Sequence, residues 1–390
     1  MGDPAVRDRG AVPLRRPRVK PEHRPYLTVD GHVRIGSVIH GIGAEIEDPD
    51  GWVWALVQAL DGTRTPTRTA GEIAAAHPEL TAADVLRAMA DLAEAGFLED
   101  AAATVPEAFT ERETERYGRG VALLRWMDRS PRADSWELQL RLAKARVLLI
   151  GLGGAGGIAA QGLVASGVGR LHCVDPDVVE LSNLNRQLLY REQDIGRPKV
   201  DAALESLRAL NTDVEVTGAR QEIRGPEDLE RLLRRTPAQE QDAAHDLLVL
   251  SADRPAALRR WANRACLATR TPWVEGGYRG PHITVGVYVP GRGACFECHR
   301  DQDAAARDLR LAPGQDEESV SPRMEWGPVN AATATLSAGL LVHAAISALT
   351  GVPPVEPGYR HGINLMTPGE PDLNRYPRRD TCPACAGLAP

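Results

Sequence analysis

VLLIGLGGAGGIAAQGL, residues 147–163, sets four large apolar residues directly ahead of Gly151, Gly153, Gly154, Gly156 and Gly157, and then resumes with helix-forming residues. An unbroken apolar run of this kind is the pattern of a strand buried on both faces. Glycines at its end make a turn where backbone can come close to a ligand, and the helix behind them aims its first amide donors and positive dipole end at the same point. Strand, glycine turn and helix predict a nucleotide site at a sheet edge. They do not separate ATP from a dinucleotide.

The segments downstream begin to. Asp175, in CVDPDVVE, ends the next predicted strand roughly twenty residues after the glycines, where a carboxylate accepts hydrogen bonds from ribose hydroxyls. That feature suits NAD and ATP equally. The following stretch, ELSNLNRQLLYREQDIGRPKVDAALESL (180–207), supplies Asn183, Arg186 and Lys199. Arginine meets phosphate through a planar fork and lysine as a point charge, so this set suits a triphosphate and has little use in a dinucleotide site. Asp253, in VLSADRP, ends another predicted strand on the same edge, and its carboxylate suits the magnesium that accompanies a triphosphate or the cap of the helix that follows.

Around these segments, residues 106–390 alternate strand and helix: ARVLLI, GIAAQGLVAS, RLHCVDPD, KVDAALESLRAL, VEVTGA, DLERLLRR, DLLVLSAD, RPAALRRWANRACLATR and PWVEGG. The alternation predicts an α/β fold with a doubly wound, mostly parallel, Rossmann-like sheet. The long uncharged stretch 327–351 reads as a buried helix, because Asn330, Thr333, Thr335, Ser337, His343 and Ser347 interrupt it. Residues 300–326 are polar and charged, and read as a mobile surface loop.

Four of the six cysteines form two C-x-x-C pairs, Cys295 with Cys298 and Cys382 with Cys385. Four thiolates at this spacing predict a closed tetrahedral zinc site of structural purpose. Cys173 falls in a predicted strand and Cys266 in a predicted helix, so both read as buried thiols. No secretory pattern opens the chain, and the expected compartment is the reducing cytoplasm.

Residues 1–20 are rich in Arg and Pro and read as a disordered tail. From 21 to 105 the expectation is a smaller α+β, winged-helix-like domain. YLTVDGHVRIGS alternates about Asp30-Gly31 as a hairpin does. WVWALVQALDG makes a short helix, and TAADVLRAMADLAEAGFLED a longer one capped by Thr81 and closed at Gly96 before an extended FLED. Winged helices commonly read DNA, yet this helix carries Asp84, Asp91 and Glu94 against Arg87 alone, and the chain's formal charge is -7. Those charges repel phosphates, which excludes nucleic acid as the favoured partner and leaves peptide binding beside the hairpin.

Taken together, GLGGAGG, VDPDVVELSNLNRQ, DIGRPKVDAA, SAD and the paired C-x-x-C motifs resemble the adenylyltransferase domain shared by ubiquitin-activating enzymes and the bacterial ThiF, MoeB and HesA proteins. The likeness covers roughly residues 112–390, in the family's order. It implies ATP and magnesium as cofactors, ribose at Asp175, phosphates at Arg186 and Lys199, and metal at Asp253, with Asp177 and Gln187 of the same motifs in the nucleotide site. It also implies a homodimer, because ERYGRGVALL resembles the family's RYxRQxxL opening, whose second arginine, here Arg119, reaches the partner's phosphates. Gly120 replaces the family's glutamine. The first domain's layout is similar to the leader-binding modules of microcin-type peptide-modifying ligases. The resulting expectation is adenylation of a carboxylate or amide on a ribosomally made precursor peptide. No enzyme thioester is expected, since residues 300–326, where thioester-forming relatives carry their cysteine, contain none. The alternative substrate is the C-terminal Gly-Gly of a ubiquitin-like sulfur carrier. An NAD-dependent oxidoreductase and a non-catalytic peptide-binding scaffold are the readings from other classes.

Overall fold

The computed structural model describes residues 14–234, 244–315, 320–322, 324, 327–370 and 372–388. The chain divides into two compact units, Met1–Leu140 and Arg141–Pro390.

In the first unit, β1 (Pro17–Val19) pairs antiparallel with β5 (Leu98–Asp100). β2 (Tyr26–Leu27), β3 (Val33–Ser37) and β4 (Ile42–Ile46) form an antiparallel sheet in that order. The predicted hairpin lies between β2 and β3, with Gly31 in the left-handed conformation. Three helices, α1 (Trp52–Ala59), α2 (Pro66–Ala76) and α3 (Ala82–Glu94), complete the winged-helix-like arrangement. Thr81 and Asp84 make a reciprocal capping box at the start of α3, worth about 1 kcal/mol, and Gly96 turns left-handed just past its end. Val85, Met89 and Leu92, at helical spacing, enter one core with Val33, Ile35, Leu56 and Phe97.

Two expectations are corrected here. The tail does not extend to residue 20: β1 is paired, and Lys20 is buried with its Nζ donating to Asp128 O at 2.8 Å. Residues 1–13 of that tail lie outside the described residues. Nor does the first unit end at 105. Helix α4 (Glu111–Met127) belongs to it, because Arg125 holds Glu22 through Nε at 3.0 Å and pairs with Glu99 at 3.6 Å, while Trp126 donates to Ser37. The division falls inside α5 (Trp136–Lys144).

The second unit is built on β6 (Arg146–Ile150), β7 (Arg170–Val174), β8 (Glu215–Ala219), β9 (Leu247–Leu250), β10 (Trp273–Arg279), β11 (His282–Tyr288), β12 (Tyr359–Asn364) and β13 (Asp372–Arg375). They form one sheet of order β13-β12-β11-β10-β9-β6-β7-β8. The five strands from β8 to β10 run parallel, as expected, with α6 (Gly154–Ala165), α7 (Lys199–Leu210), α8 (Pro226–Leu233) and α9 (Leu258–Thr269) among the connections. Beyond β10 the sheet continues antiparallel. Two further helices are α10 (Phe296–Ala306) and α11 (Ala331–Thr350).

Helix α11 packs on α6 and β10, and the contact is close: a Cβ on Gly162 would stand 2.7 Å from Val342, and one on Gly276 3.1 Å from Leu341. The helix read as buried from 327–351 is thus buried on one face only, since Ala332, Thr335, Leu336, Gly339 and His343 are exposed, and it is long and apolar enough to cross a membrane. The expected surface loop begins later than residue 300. Residues 300–306 are helical, since Cys295 accepts from Cys298 N at the start of α10 and Gln302 donates to Cys298 O at 3.0 Å. Of the remainder, 316–319, 323, 325 and 326 lie outside the described residues.

Candidate functional site

The site forms at the carboxyl end of β6, where strand order places β9 on one side and β7 on the other. This is a topological switch point, the place where ligands bind in open α/β sheets. Gly151 has φ +96°, and a Cβ there would stand 2.8 Å from Ser251 O. A Cβ on Gly156 would stand 1.9 Å from Gly151 O, so only glycine lets the first turn of α6 close on β6. Gly153 has open space around it, and Gly154 faces the Tyr278 hydroxyl, 2.7 Å from where its Cβ would be. The turn therefore has one side fixed by backbone packing and another that faces outward at the α6 N-terminus.

Asp175, buried at the end of β7, accepts from Leu152 N at 2.7 Å through Oδ2 and from Asp177 N at 2.9 Å through Oδ1. It ties the glycine turn to the segment after β7. Tyr190 closes the turn from the other side by donating to Leu152 O at 2.9 Å. The segment then folds back, with Val178 bridged to Pro198 and Lys199 N donating to Asp177 O at 2.9 Å. Lys199, the first residue of α7, is buried, and its Nζ donates to Asp177 Oδ2 at 2.9 Å.

Arg186 donates from Nη1 to Ser182 O and to Asn185 Oδ1, both at 2.9 Å, and its guanidinium acts electrostatically on the Tyr278 hydroxyl. Burial pushes the Tyr278 phenol up, and the charge of Arg186 opposes that shift. Asp253 lies within electrostatic reach of Tyr278 and of Arg259. Its carboxylate is not the cap of α9, which begins at Leu258 behind Ala257, and it is exposed. Asn183 is buried and accepts from Glu180 N at 3.1 Å, so it shapes the turn that carries Arg186. Gln187 is buried next to it, with an Oε1 that has no hydrogen-bond partner.

Gly151, Gly153, Gly154, Gly156, Asp175, Asp177, Asn183, Arg186, Gln187 and Lys199 thus gather on the glycine turn and the segment that follows β7. Arg119 does not join them in that unit. It stands exposed on α4, in the first unit. Tyr278 is a member that the sequence reading missed. Its signal was the PWVEGG strand, whose carboxyl end continues into Tyr278 and reaches the same sheet edge.

The four cysteines of the two C-x-x-C pairs meet as anticipated. All are buried, and their sulfurs lie within 4.8 Å of one another. Cys295 and Cys382 Sγ are 3.7 Å apart and Cys298 and Cys385 Sγ 3.6 Å, far longer than a disulfide of about 2.05 Å. A tetrahedral zinc with bonds of about 2.3 Å requires sulfurs roughly 3.75 Å apart, so the set fits that metal. Asn263 and Arg379 steady the sulfurs: Asn263 Nδ2 donates to Cys295 Sγ at 3.6 Å, and Arg379 N to Cys298 Sγ at 3.4 Å. Cys173 and Cys266 have no exposure, and burial pushes the Cys173 thiol up to about 12. Both are protonated core residues.

Comparison with known proteins finds shared sequence and shared fold. The ThiF family model matches residues 125–384. Ubiquitin-like modifier-activating enzyme 5 of Arabidopsis thaliana is 30% identical over 285 residues, 71% of this chain, which spans only 61% of that protein's length. The sulfur carrier protein ThiS adenylyltransferase of Escherichia coli (strain K12) is 35% identical over 208 residues, 52% of this chain and 74% of its own. Among solved structures, E. coli MccB superimposes with a TM-score of 0.73 over 95% of this chain and 96% of its own, at 21% identity, so the shared feature is the fold. MccB has also been solved with ATP and with MccA derivatives. On the family match over residues 125–384, the chain belongs to the ThiF family.

Proposed function

We propose that this chain is an ATP-dependent adenylyltransferase that activates a carboxylate or amide on a ribosomally made precursor peptide held by its first unit. The observation that carries the reading is the gathering of Arg186, Lys199 and an amide-lined turn beside Asp175 at one sheet edge. That set offers donors and positive charge to a triphosphate and a carboxylate to its ribose. An acyl oxygen of the peptide attacks the α-phosphorus, the bond from that phosphorus to the bridging oxygen breaks, and pyrophosphate leaves with the electron pair. The α6 amides, Arg186 and Lys199 hold phosphoryl oxygens as charge develops, so rate enhancement comes from positioning and fixed charge. Asp253 would hold magnesium, which supplies charge neutralisation on the departing phosphates. The four cysteines would hold zinc and tie residues 382–385 to α10.

The peptide assignment is supported by a fold likeness to MccB that extends over 95% of the chain. It is also supported by the sheet of the first unit, whose β2 edge exposes Tyr26 and Leu27 and could accept an extended peptide as an added strand. The burial of Cys173 and Cys266 favours release of the acyl-adenylate, or its capture by an external nucleophile, over an enzyme thioester. Six cysteines outside any disulfide, four of them placed for metal, suit a reducing cytoplasm. Arg119, exposed on α4, is available to serve a second subunit in a homodimer.

The similarity to the ThiS adenylyltransferase favours a second reading, in which the same chemistry acts on the Gly-Gly end of a sulfur carrier. ATP–pyrophosphate exchange distinguishes the two. A short precursor peptide encoded beside this chain is expected to stimulate exchange, whereas stimulation by a Gly-Gly carrier alone transfers the assignment to the second reading. Exchange with neither contradicts adenylation.

A further inference from the structure

The sheet face opposite α11, packed against α9, carries a charged group that the reaction above does not use. Glu275 on β10 has no exposure, and its Oε2 accepts from Arg259 Nε at 2.8 Å. Arg360, on β12, brings Nε to 3.5 Å from Glu275 Oε1, and its Nη2 donates to Thr284 Oγ1 at 3.0 Å. Burial pushes Glu275 up, but the two guanidiniums outweigh it and hold the carboxyl below its ordinary value. Two permanent cations therefore share one buried anion, which leaves a positive charge in excess.

That excess is turned outward. The Arg259 and Arg360 side chains keep 27% and 31% of their exposure while their anchor has none. Gly277, on the same face of β10, has only Arg259 Nη2, at 3.5 Å, near the position a Cβ would take. Within the cluster the buried Tyr288 Oη has no hydrogen-bond partner, while Glu275 Oε1 and Arg360 Nε face each other as an ion pair at 3.5 Å. Buried polar atoms are nearly always paired, so a buried phenol hydroxyl left unpaired beside partly exposed guanidiniums marks a place that can take a further group. The cluster is also within electrostatic reach of the nucleotide site's edge, because the charge of Asp253 acts both on Arg259 and on Tyr278.

We infer that Arg259 and Arg360, anchored by Glu275, form a second oxyanion subsite, which takes either the pyrophosphoryl end of the nucleotide or the carboxylate of the acyl substrate. Each is a multi-oxygen anion that a guanidinium fork meets with parallel hydrogen bonds. This subsite rests on the adenylation reading for its place in the reaction, though not for its ability to bind an anion.

Equilibrium binding of inorganic pyrophosphate and AMP to the full chain tests the subsite, together with saturation-transfer NMR using acetate as the carboxylate probe. If the anion is pyrophosphoryl, Arg259→Gln and Arg360→Gln each weaken pyrophosphate about tenfold and leave AMP unchanged. If it is a carboxylate, the same variants lose the acetate signal that the unaltered chain gives. Arg259→Lys and Arg360→Lys, which keep the charge without the fork, recover part of either effect. Truncating one arm of a buried ion pair can unfold a chain, so the lysine variants, checked by thermal midpoint, provide the second measure. Pyrophosphate affinity and acetate signal equal to the unaltered chain in folded variants at both positions overturn the subsite. Failure of the unaltered chain to bind AMP or Mg·ATP contradicts the nucleotide reading instead.

Discussion

Lys199 and Asp177 show how the site's charges are held without a large cost to the fold. Lys199 is buried, but Asp177 keeps 62% of its side-chain exposure, so removing the lysine leaves a carboxylate that water still solvates. Lys199→Ala is therefore expected to weaken Mg·ATP binding by about tenfold or more while the thermal midpoint stays near that of the unaltered chain. Calorimetric titration beside a melting curve checks both halves. His23 makes the opposite case. It is fully buried in the first unit, edge-on to Phe97 at 5.5 Å, and burial pushes its pKa down to about 4. The unfolded chain binds the proton from about pH 6.5 downward, so stability is complete above that pH and declines as pH falls toward 4, by roughly 3 kcal/mol in all. Urea titrations between pH 7 and 4 should show this slope, and His23→Phe should flatten it. Asp175, Arg186 and Lys199 were legible as single letters because the chemistry of a triphosphate selects those types. Tyr278 and Glu275 were not, because an aromatic residue or a carboxylate in a strand gains its meaning only from what the fold sets across from it.

At the scale of elements, the glycine turn gives the sharpest contrast. A Cβ on Gly156 meets Gly151 O at 1.9 Å, backbone that cannot yield, whereas one on Gly153 meets nothing within 4 Å. Gly156→Ala is expected to lower stability by about 1–3 kcal/mol and to abolish nucleotide binding. Gly153→Ala should leave the melting curve unchanged and still reduce ATP affinity, because its methyl group stands on the side the phosphates approach. Equal loss of stability in both variants would contradict this account of the turn. The strand–turn–helix from β6 to α6 was legible because local pattern and fold agree there. The strands β11, β12 and β13 were not anticipated: they extend the sheet antiparallel from β10, and no repeating βαβ unit announces them. The same holds for α4, whose membership of the first unit rests on Arg125 and Trp126 reaching residues far back in the chain.

On the scale of the whole molecule, the four-cysteine cluster joins two pairs 87 positions apart and fixes the C-terminal segment to α10 and α9. Zinc bound there links folding to metal, so a strong chelator or Cys382→Ser should lower the midpoint of the second unit's unfolding and release about one equivalent of zinc, readable by a colorimetric dye. The spacing of the pairs made this staple readable early, because C-x-x-C carries its own geometry. The extent of the first unit was not readable, because long-range ion pairs and a buried Lys20 decide it. Everything else in the account depends on the sheet edge at β6 being a triphosphate site. The most direct measurement is therefore competition between Mg·ATP and NAD for the purified chain, followed by calorimetric titration, with Arg186→Ala as the comparison. ATP binding in the micromolar range that NAD does not displace and that Arg186→Ala weakens is the predicted result. Binding of NAD in preference to ATP, or ATP affinity indifferent to Arg186, would contradict it.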